Sequence, residues 1–358
     1  MSWVIVFAGL IMLVILHELG HFSAAKAVGM RVERFSLFFG PAIAKKQIGE
    51  TEYRVGVLPL GGYVKITGMS PAEELSDELR TRAYYAQPPW KRIIVIAAGP
   101  FMNIVIALVV LVIFFSAFGP VTSGNKVSDV QKGYPAYGVL QSGDKLVAVD
   151  GKRGTPEQLS KQIATHKCAE QPPVKGCRAT TPVKITVERG GKLVTYTLTP
   201  IYDPANSKVR LGFGFNEVHQ PYGFGKAVSN AGSQFWYVTK QTAGLPARII
   251  NPEKRKEISG IVGVSDVAHK TVATDPGLAV YLLAVVSLSL AIVNLFPFLP
   301  LDGGHIFWAV VEMIRRRPVP YSVMERAGVV GFMLVILLFV IGFTNDVNRL
   351  TGGGFQTR

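Results

Sequence analysis

Residues 17–21 read HELGH, two histidines four positions apart with a glutamate beside the first. On a helix, positions i and i+4 share one face, so His17 and His21 would present their imidazoles together. Two imidazoles so placed can hold one divalent ion of the zinc type, and Glu18 alongside can take the proton of an attacking water. Three fixed positions also arise by chance in soluble helices. This motif, however, lies inside one of the most apolar stretches of the chain, where ionisable groups are costly and tend to be functional.

A catalytic zinc takes three protein ligands and keeps one position open. The remaining histidines are His166, His219, His269 and His305, and the first three fall in the long segment 119–276. The better source is NLFPFLPLDGGH, residues 294–305, where Asp302 is the only carboxylate. His305 competes as a ligand or supports the site from behind. Pro297 and Pro300 remove donors and Gly303 and Gly304 loosen the chain, so the backbone there cannot stay helical. Irregular backbone at membrane depth is tolerated where it lines a wet cavity, and a cavity is therefore expected. Asn294 would turn polar groups into that cavity, or would bond a neighbouring helix. In AAGPFMNI, Gly99 and Pro100 permit a close helix approach or a kink. Asn103 there either orients substrate or bonds nearby backbone.

The elements that must position these residues are mostly apolar helices. The chain has 358 residues, 49% of them hydrophobic, and these are clumped. Runs at 93–118, 277–301 and 327–345 carry no charge, and a fourth run covers 1–16 and continues through HELGH to about Met30. At about 1.5 Å per residue each can cross a hydrocarbon layer of roughly 30 Å. The first run lacks a basic leader and a small-residue cleavage site, so it reads as a retained span and not as a signal peptide. The net charge of +14 comes without a compact basic motif interleaved with aromatics, which argues against nucleic acid. The cations instead flank the spans. Arg31, Arg34, Lys45, Lys46, Arg54, Lys65, Arg80, Arg82, Lys91 and Arg92 lie in the first connection, and Arg315, Arg316, Arg317 and Arg326 in the last. The positive-inside rule makes both connections cytoplasmic, with segment 119–276 and both termini outside. The first and third spans then enter from the same side, which puts His17 and Asp302 at similar depth. Cys168 and Cys177 lie in the outer segment, where a disulfide is permitted, and a small stapled loop is favoured over a metal site. His166 reads as a plain surface histidine.

HELGH, the G-P-x-x-N stretch at Gly99–Asn103 and the N-x-x-P-x-x-P-L-D-G-G run together resemble the site-2 protease family of intramembrane zinc metalloproteases, in its bacterial regulator of sigma-E protease branch. The resemblance covers nearly the whole chain. It implies Zn²⁺ held by His17, His21 and Asp302, Glu18 as general base, and Asn294 in substrate handling. It also implies a place in the bacterial inner membrane and single-pass transmembrane substrates. These would be of the anti-sigma-factor or signal-peptide-remnant kind, the former trimmed first by an upstream site-1-type protease. Residues 35–68 resemble the family's membrane-reentrant β-hairpin. Read from the residues, TEYRVGVLPLGGYVKI is strand-like and broken at Pro59, Gly61 and Gly62. An edge there could pair with an unwound substrate, making Gly61 and Gly62 substrate-binding candidates beside Asn294 and Asn103, or it could be an ordinary hairpin. GVLQSGDKLVAVDGK and PVKITVERGGKLVTYTLTP look like one PDZ domain with a turn at Arg189–Lys192, where the best-known members of the branch carry two.

The expected fold is an α-helical integral membrane protein with four transmembrane helices, a membrane-associated β-hairpin region and one extracytoplasmic α+β PDZ domain. The expected segments are a first span at 1–30, the β region at 31–92, a second span at 93–118 and the PDZ domain at 119–203. A linker with an amphipathic interfacial helix follows at 204–276, and the role of EISGIVGVSDVA within it is unread. A third span with the LDG motif occupies 277–305, a cytoplasmic loop 306–326, a fourth span 327–345 and an outer tail 346–358. A transporter would also show broken helices and buried polar groups, but no inverted repeat is evident and a carrier needs no Glu18. A PDZ-bearing scaffold with a structural zinc is the third reading. Zinc content and a Glu18 variant separate the three.

Overall fold

The apolar runs become helices, and even Gly99 and Pro100 stay inside one of them, Pro89–Ala117. The computed structural model describes residues 2–69, 73, 75–170 and 172–352. Four of its helices are long and apolar enough to cross a membrane: Trp3–Ala27, Pro89–Ala117, Pro276–Asn294 and Ser322–Thr351. The chain divides into two compact units, one formed by Met1–Ala117 with Tyr222–Arg358 and the other by Phe118–Pro221.

In the first unit, α1 (Ser2–Ala27) carries the HELGH motif and gives way, past Gly29 at φ +83°, to β1 (Val32–Ile48) and β2 (Thr51–Ile66). Both strands fold back on themselves. β1 bends where Phe38 and Gly40 take positive φ, and β2 bends after Pro59 at Gly61, whose φ of +145° is a glycine conformation. Phe35 therefore faces both Val64 and Tyr53, and the four pieces lie in the order 44–48, 51–55, 32–37, 62–66. The 62–66 piece closes one edge of this folded ribbon. Glu50, in the turn between the strands, binds Arg82 through both oxygens and Lys26 through one. The Arg82 guanidinium first, and Lys26 second, pull its carboxyl down to about 2. The turn is thereby tied to the end of α1. A short α2 (Asp77–Arg80) leads to α3 (Pro89–Ala117), which packs against α1 and against helices described below.

The second unit is an antiparallel sheet with one helix. Its strands are β3 (Val121–Val130), β4 (Lys145–Val149), β5 (Val183–Arg189), β6 (Lys192–Leu198), β7 (Ile201–Asp203), β8 (Lys208–Arg210) and β9 (Phe213–His219). Five form one sheet in the order β6-β5-β4-β3-β9, and β7 pairs with β8. Gly190 and Gly191 both take positive φ in the two-residue β5–β6 loop, as the strand twist of a tight hairpin demands. Helix α4 (Pro156–Ile163) starts at a reciprocal capping box between Thr155 and Gln158. Leu146, Val149, Leu159, Val183, Ile185 and Val187 build the core. Residues 204–219, expected in a linker, belong to this unit because β9 pairs with β3. Cys168 and Cys177 are joined in a disulfide. His166 is not the plain surface residue expected, since its ring bonds Asp150 Oδ2 at 2.9 Å and Thr181 Oγ1 at 2.8 Å.

The chain re-enters the first unit through α5 (Phe224–Ala243), α6 (Leu245–Ile250), α7 (Pro252–Arg255) and α8 (Ile261–Thr274). α9 (Pro276–Asn294), α10 (Asp302–Arg315) and α11 (Tyr321–Gly352) follow. The sequence suggests that α5 is an amphipathic helix at the outer membrane interface. It packs against α3 and α9, with Val238 beside Ala107 and Leu288, and Gln234 bonded to the Tyr281 hydroxyl. α9 ends at Asn294, and α10 occupies much of the stretch expected as a loop at 306–326. α11 is longer at both ends than the expected 327–345. Of the expected tail, residues 346–352 are helical and 353–358 lie outside the described residues. The stretch around EISGIVGVSDVA also gains an account. Gly260 meets Gly342 backbone to backbone, and Asp346 Oδ2 accepts the N–H groups of Gly260 at 3.0 Å and Gly263 at 2.8 Å. Asp346 thereby satisfies donors at the start of α8 that its own helix cannot.

Candidate metal centre

α1 and α3 cross closely because Gly20 and Gly99 carry no side chains. A Cβ on Gly20 would overlap the Ala98 carbonyl, and one on Gly99 would overlap the His21 ring. In that crossing the His21 Nδ1–H donates to the Val95 carbonyl at 2.9 Å. This bond fixes the tautomer and leaves the Nε2 lone pair free. His17, one turn earlier, lies against Asn103. Asp302 is the first residue of α10, following the break at 295–301. Gly303 and Gly304 are required there, because added side chains would run into the backbone of Leu295 and of Leu299.

Three atoms converge. His17 Nε2 lies 3.2 Å from His21 Nε2, and Asp302 Oδ2 lies 3.2 Å and 3.4 Å from the two imidazole nitrogens. Both histidines are buried, and Asp302 Oδ2 is buried without accepting a hydrogen bond. A tetrahedral zinc with bonds of about 2.0–2.1 Å sets its ligands roughly 3.3–3.4 Å apart. The observed triangle matches that spacing, and the orphaned carboxylate oxygen gains a partner if a cation sits among the three. His17, His21 and Asp302 form the metal-competent cluster found among the described residues.

The cavity beside the cluster has a volume of about 410 Å³. Its walls bring together Glu18, Gly61, Gly62, Asn294 and His305 with the three donors, and add Phe39, Tyr63 and Val64. Gly62 lies against the Glu18 side chain. Asn103 is not on this wall. It is fully buried behind His17, with its amide facing Nδ1 at 3.4 Å.

The HELGH helix, the buried donor triangle and the open cavity form the arrangement of a metallopeptidase. A family model described as Peptidase family M50 matches residues 5–338. The chain belongs to that family. Among the curated relatives it resembles are proteins named "Putative zinc metalloprotease" from three bacteria. The Clostridium perfringens protein is 30% identical over 94% of this chain and 95% of its own length. The Mesorhizobium japonicum protein is 31% identical over 94% and 96%. The Campylobacter jejuni protein is 29% identical over 95% and 91%. Membership of the M50 family makes the chain a peptidase, and its donor set makes it a metalloprotease.

Other residues that hold the site together carry no signature of their own in the sequence. Arg92 counts there as one of many loop cations. In the structure it is buried, bonds Glu312 of α10 at 2.7 Å and lies over the rings of Tyr84 and Tyr85. The α10 that carries Asp302 is thus pinned to α3, which also holds both imidazoles. An arginine next to Lys91 at the start of an apolar run offers no cue to that partner. The Val95 carbonyl is likewise invisible in a sequence, because any residue could supply it.

Proposed function

We propose that this metalloprotease cleaves transmembrane segments of single-pass membrane proteins inside a bacterial inner membrane. Zinc is the cofactor, held by Nε2 of His17, Nε2 of His21 and Oδ2 of Asp302. The observation that carries this reading is the donor triangle, with edges of 3.2–3.4 Å, opening onto the cavity that Glu18 lines. Zinc bound there supplies Lewis-acid polarisation of the scissile carbonyl and lowers the pKa of water toward about 7. Glu18 takes a proton from the attacking water and returns it to the leaving amine nitrogen. Asn294, at the end of α9 where the helix breaks, offers its amide to the substrate backbone.

A helical substrate shields its peptide bonds, so it must unwind before cleavage. The 62–66 edge of the β1–β2 ribbon lines the cavity and offers backbone groups to an unwound segment by strand addition. Gly61 and Gly62 present bare backbone at the start of that edge. The four apolar helices are read as spans, with both termini and the 118–221 unit outside the cell membrane. That unit is read as a PDZ domain that screens bulky ectodomains. Anti-sigma-factor-type proteins trimmed by an upstream site-1-type protease, and signal-peptide remnants, are the substrate class.

The test is Glu18→Gln in the purified full chain with a tagged single-pass substrate. Zinc content is expected to stay at one ion per chain while cleavage disappears. Persisting cleavage by this variant would remove the proteolytic mechanism.

A further inference from the structure

We propose that Asn103 is a positioning residue for the metal, its side-chain oxygen holding the His17 proton on Nδ1 so that the Nε2 lone pair points at the ion. This rests on the zinc reading above.

His17 contributes Nε2 to the donor triangle. A neutral imidazole has one protonated nitrogen, so a metal-binding Nε2 requires the proton on Nδ1 and an acceptor beyond it. For His21 the acceptor is the Val95 carbonyl, 2.9 Å away. For His17 the group in that place is the Asn103 amide. Asn103 is fully buried, its Nδ2 lies 3.4 Å from His17 Nδ1, and its Oδ1 is buried with no partner.

An amide has one donor end and one acceptor end. With Nδ2 toward Nδ1, the imidazole must accept there and carry its proton on Nε2, which leaves no lone pair to face the other donors. A half-turn about χ2 brings Oδ1 into the same place, accepts the Nδ1–H and frees the Nε2 lone pair. The two ends of one amide thus match the two tautomers of His17, and metal binding at Nε2 needs the one that the oxygen end selects.

Helix packing does not account for the side chain. The Ser287 hydroxyl donates to the Asn103 backbone carbonyl at 2.9 Å, and any residue at 103 would keep that bond between α3 and α9. The side chain itself is committed to His17 within a buried site, where an unpaired amide costs roughly 1–3 kcal/mol.

Zinc affinity of the purified full chain, measured by competition with a chromophoric chelator, tests the assignment, together with the visible spectrum of the Co²⁺-substituted protein. Asn103→Leu can neither accept nor donate. It is expected to bind zinc about 10–100-fold more weakly and to alter the Co²⁺ bands. Asn103→Asp accepts but cannot donate, and is expected to keep near-wild-type affinity and spectrum. Unchanged affinity in Asn103→Leu overturns the proposal, as does equal loss in both variants. If the Leu variant does not fold, Asn103→Asp decides alone, with retention supporting the assignment and loss overturning it. His17→Ala is the control: zinc retained at full affinity in that variant sinks the ligand set itself, whereas its loss beside a silent Asn103→Leu sinks only this inference.

Discussion

The His21 ring lies on the bare backbone of Gly99, in the space a Cβ at that position would fill. The ring sits there because its Nδ1–H reaches the Val95 carbonyl, one turn earlier on the same helix. Gly99→Ala is therefore expected to push the imidazole off its bond. Zinc binding should weaken by about 10–100-fold, with cleavage falling about 10²-fold for a displacement near 1 Å. Metal analysis of the purified variant, alongside a cleavage assay, checks this.

Gly62 separates the edge of the ribbon from Glu18. A Cβ there would stand 3.2 Å from Glu18 Cγ and 2.9 Å from the Ser36 carbonyl oxygen. Gly62→Val should shift the Glu18 carboxylate while leaving the three donors in place. The expected result is full zinc content with kcat lowered by about 10²-fold, of the order given for such misplacements. Zinc loss in this variant would mean that the ribbon supports the metal and not the base.

The second unit should lose stability in acid. Arg189 binds both oxygens of Asp144, at 2.7 Å and 2.6 Å, and the Gln141 N–H adds a third bond. The guanidinium holds the Asp144 carboxyl below its ordinary range, against the opposing effect of burial. A depressed carboxyl contributes fully above its unfolded value of about 3.9 and loses that contribution as pH falls through the folded value. Protection of the β4 and β5 amides in the full chain, measured as exchange relative to the intrinsic rate at each pH, should stay constant from neutrality to about pH 4 and fall below. Asp144→Asn should raise the neutral exchange rate and make the acid dependence shallower. It should not abolish that dependence, because Asp150 and Asp203 are also depressed.

Asp346 caps the start of α8 from another helix. Asp346→Ala should cost about 0.5–2 kcal/mol, the range for a lost helix cap. The loss should appear as faster hydrogen exchange at Gly260 and Gly263, with zinc content unchanged.

The candidate donor cluster was legible because its members are metal-ligating residue types in apolar surroundings. HELGH identified one face of α1, and the only carboxylate in a proline- and glycine-broken apolar run identified Asp302. The four apolar runs likewise foretold the long helices. What escaped was tertiary. Asn103 is ambiguous in sequence, since a lone amide in an apolar helix can serve a substrate, a backbone or a histidine, and only the fold puts His17 beside it. The return of α5 along α3 was hidden because its buried face, Ala227, Ala231, Val238 and Thr242, mixes small, apolar and polar residues in a way that does not distinguish an interfacial helix from a packed one. The boundary at Asn294 was blurred because the apolar run continues through 295–301 although the helix does not. The double pairing of Phe35 needs both bends of the ribbon, and strand propensity does not report bends.

α3 supplies none of the three donor atoms, yet each of them takes its bearing from it, two through Val95 and Asn103 and the third through the Arg92–Glu312 pair. Ligands drawn from opposite ends of the chain thus share a single datum. A displacement of α3 would therefore disturb all three donors at once, whereas among the described residues no other helix touches every one of those supports.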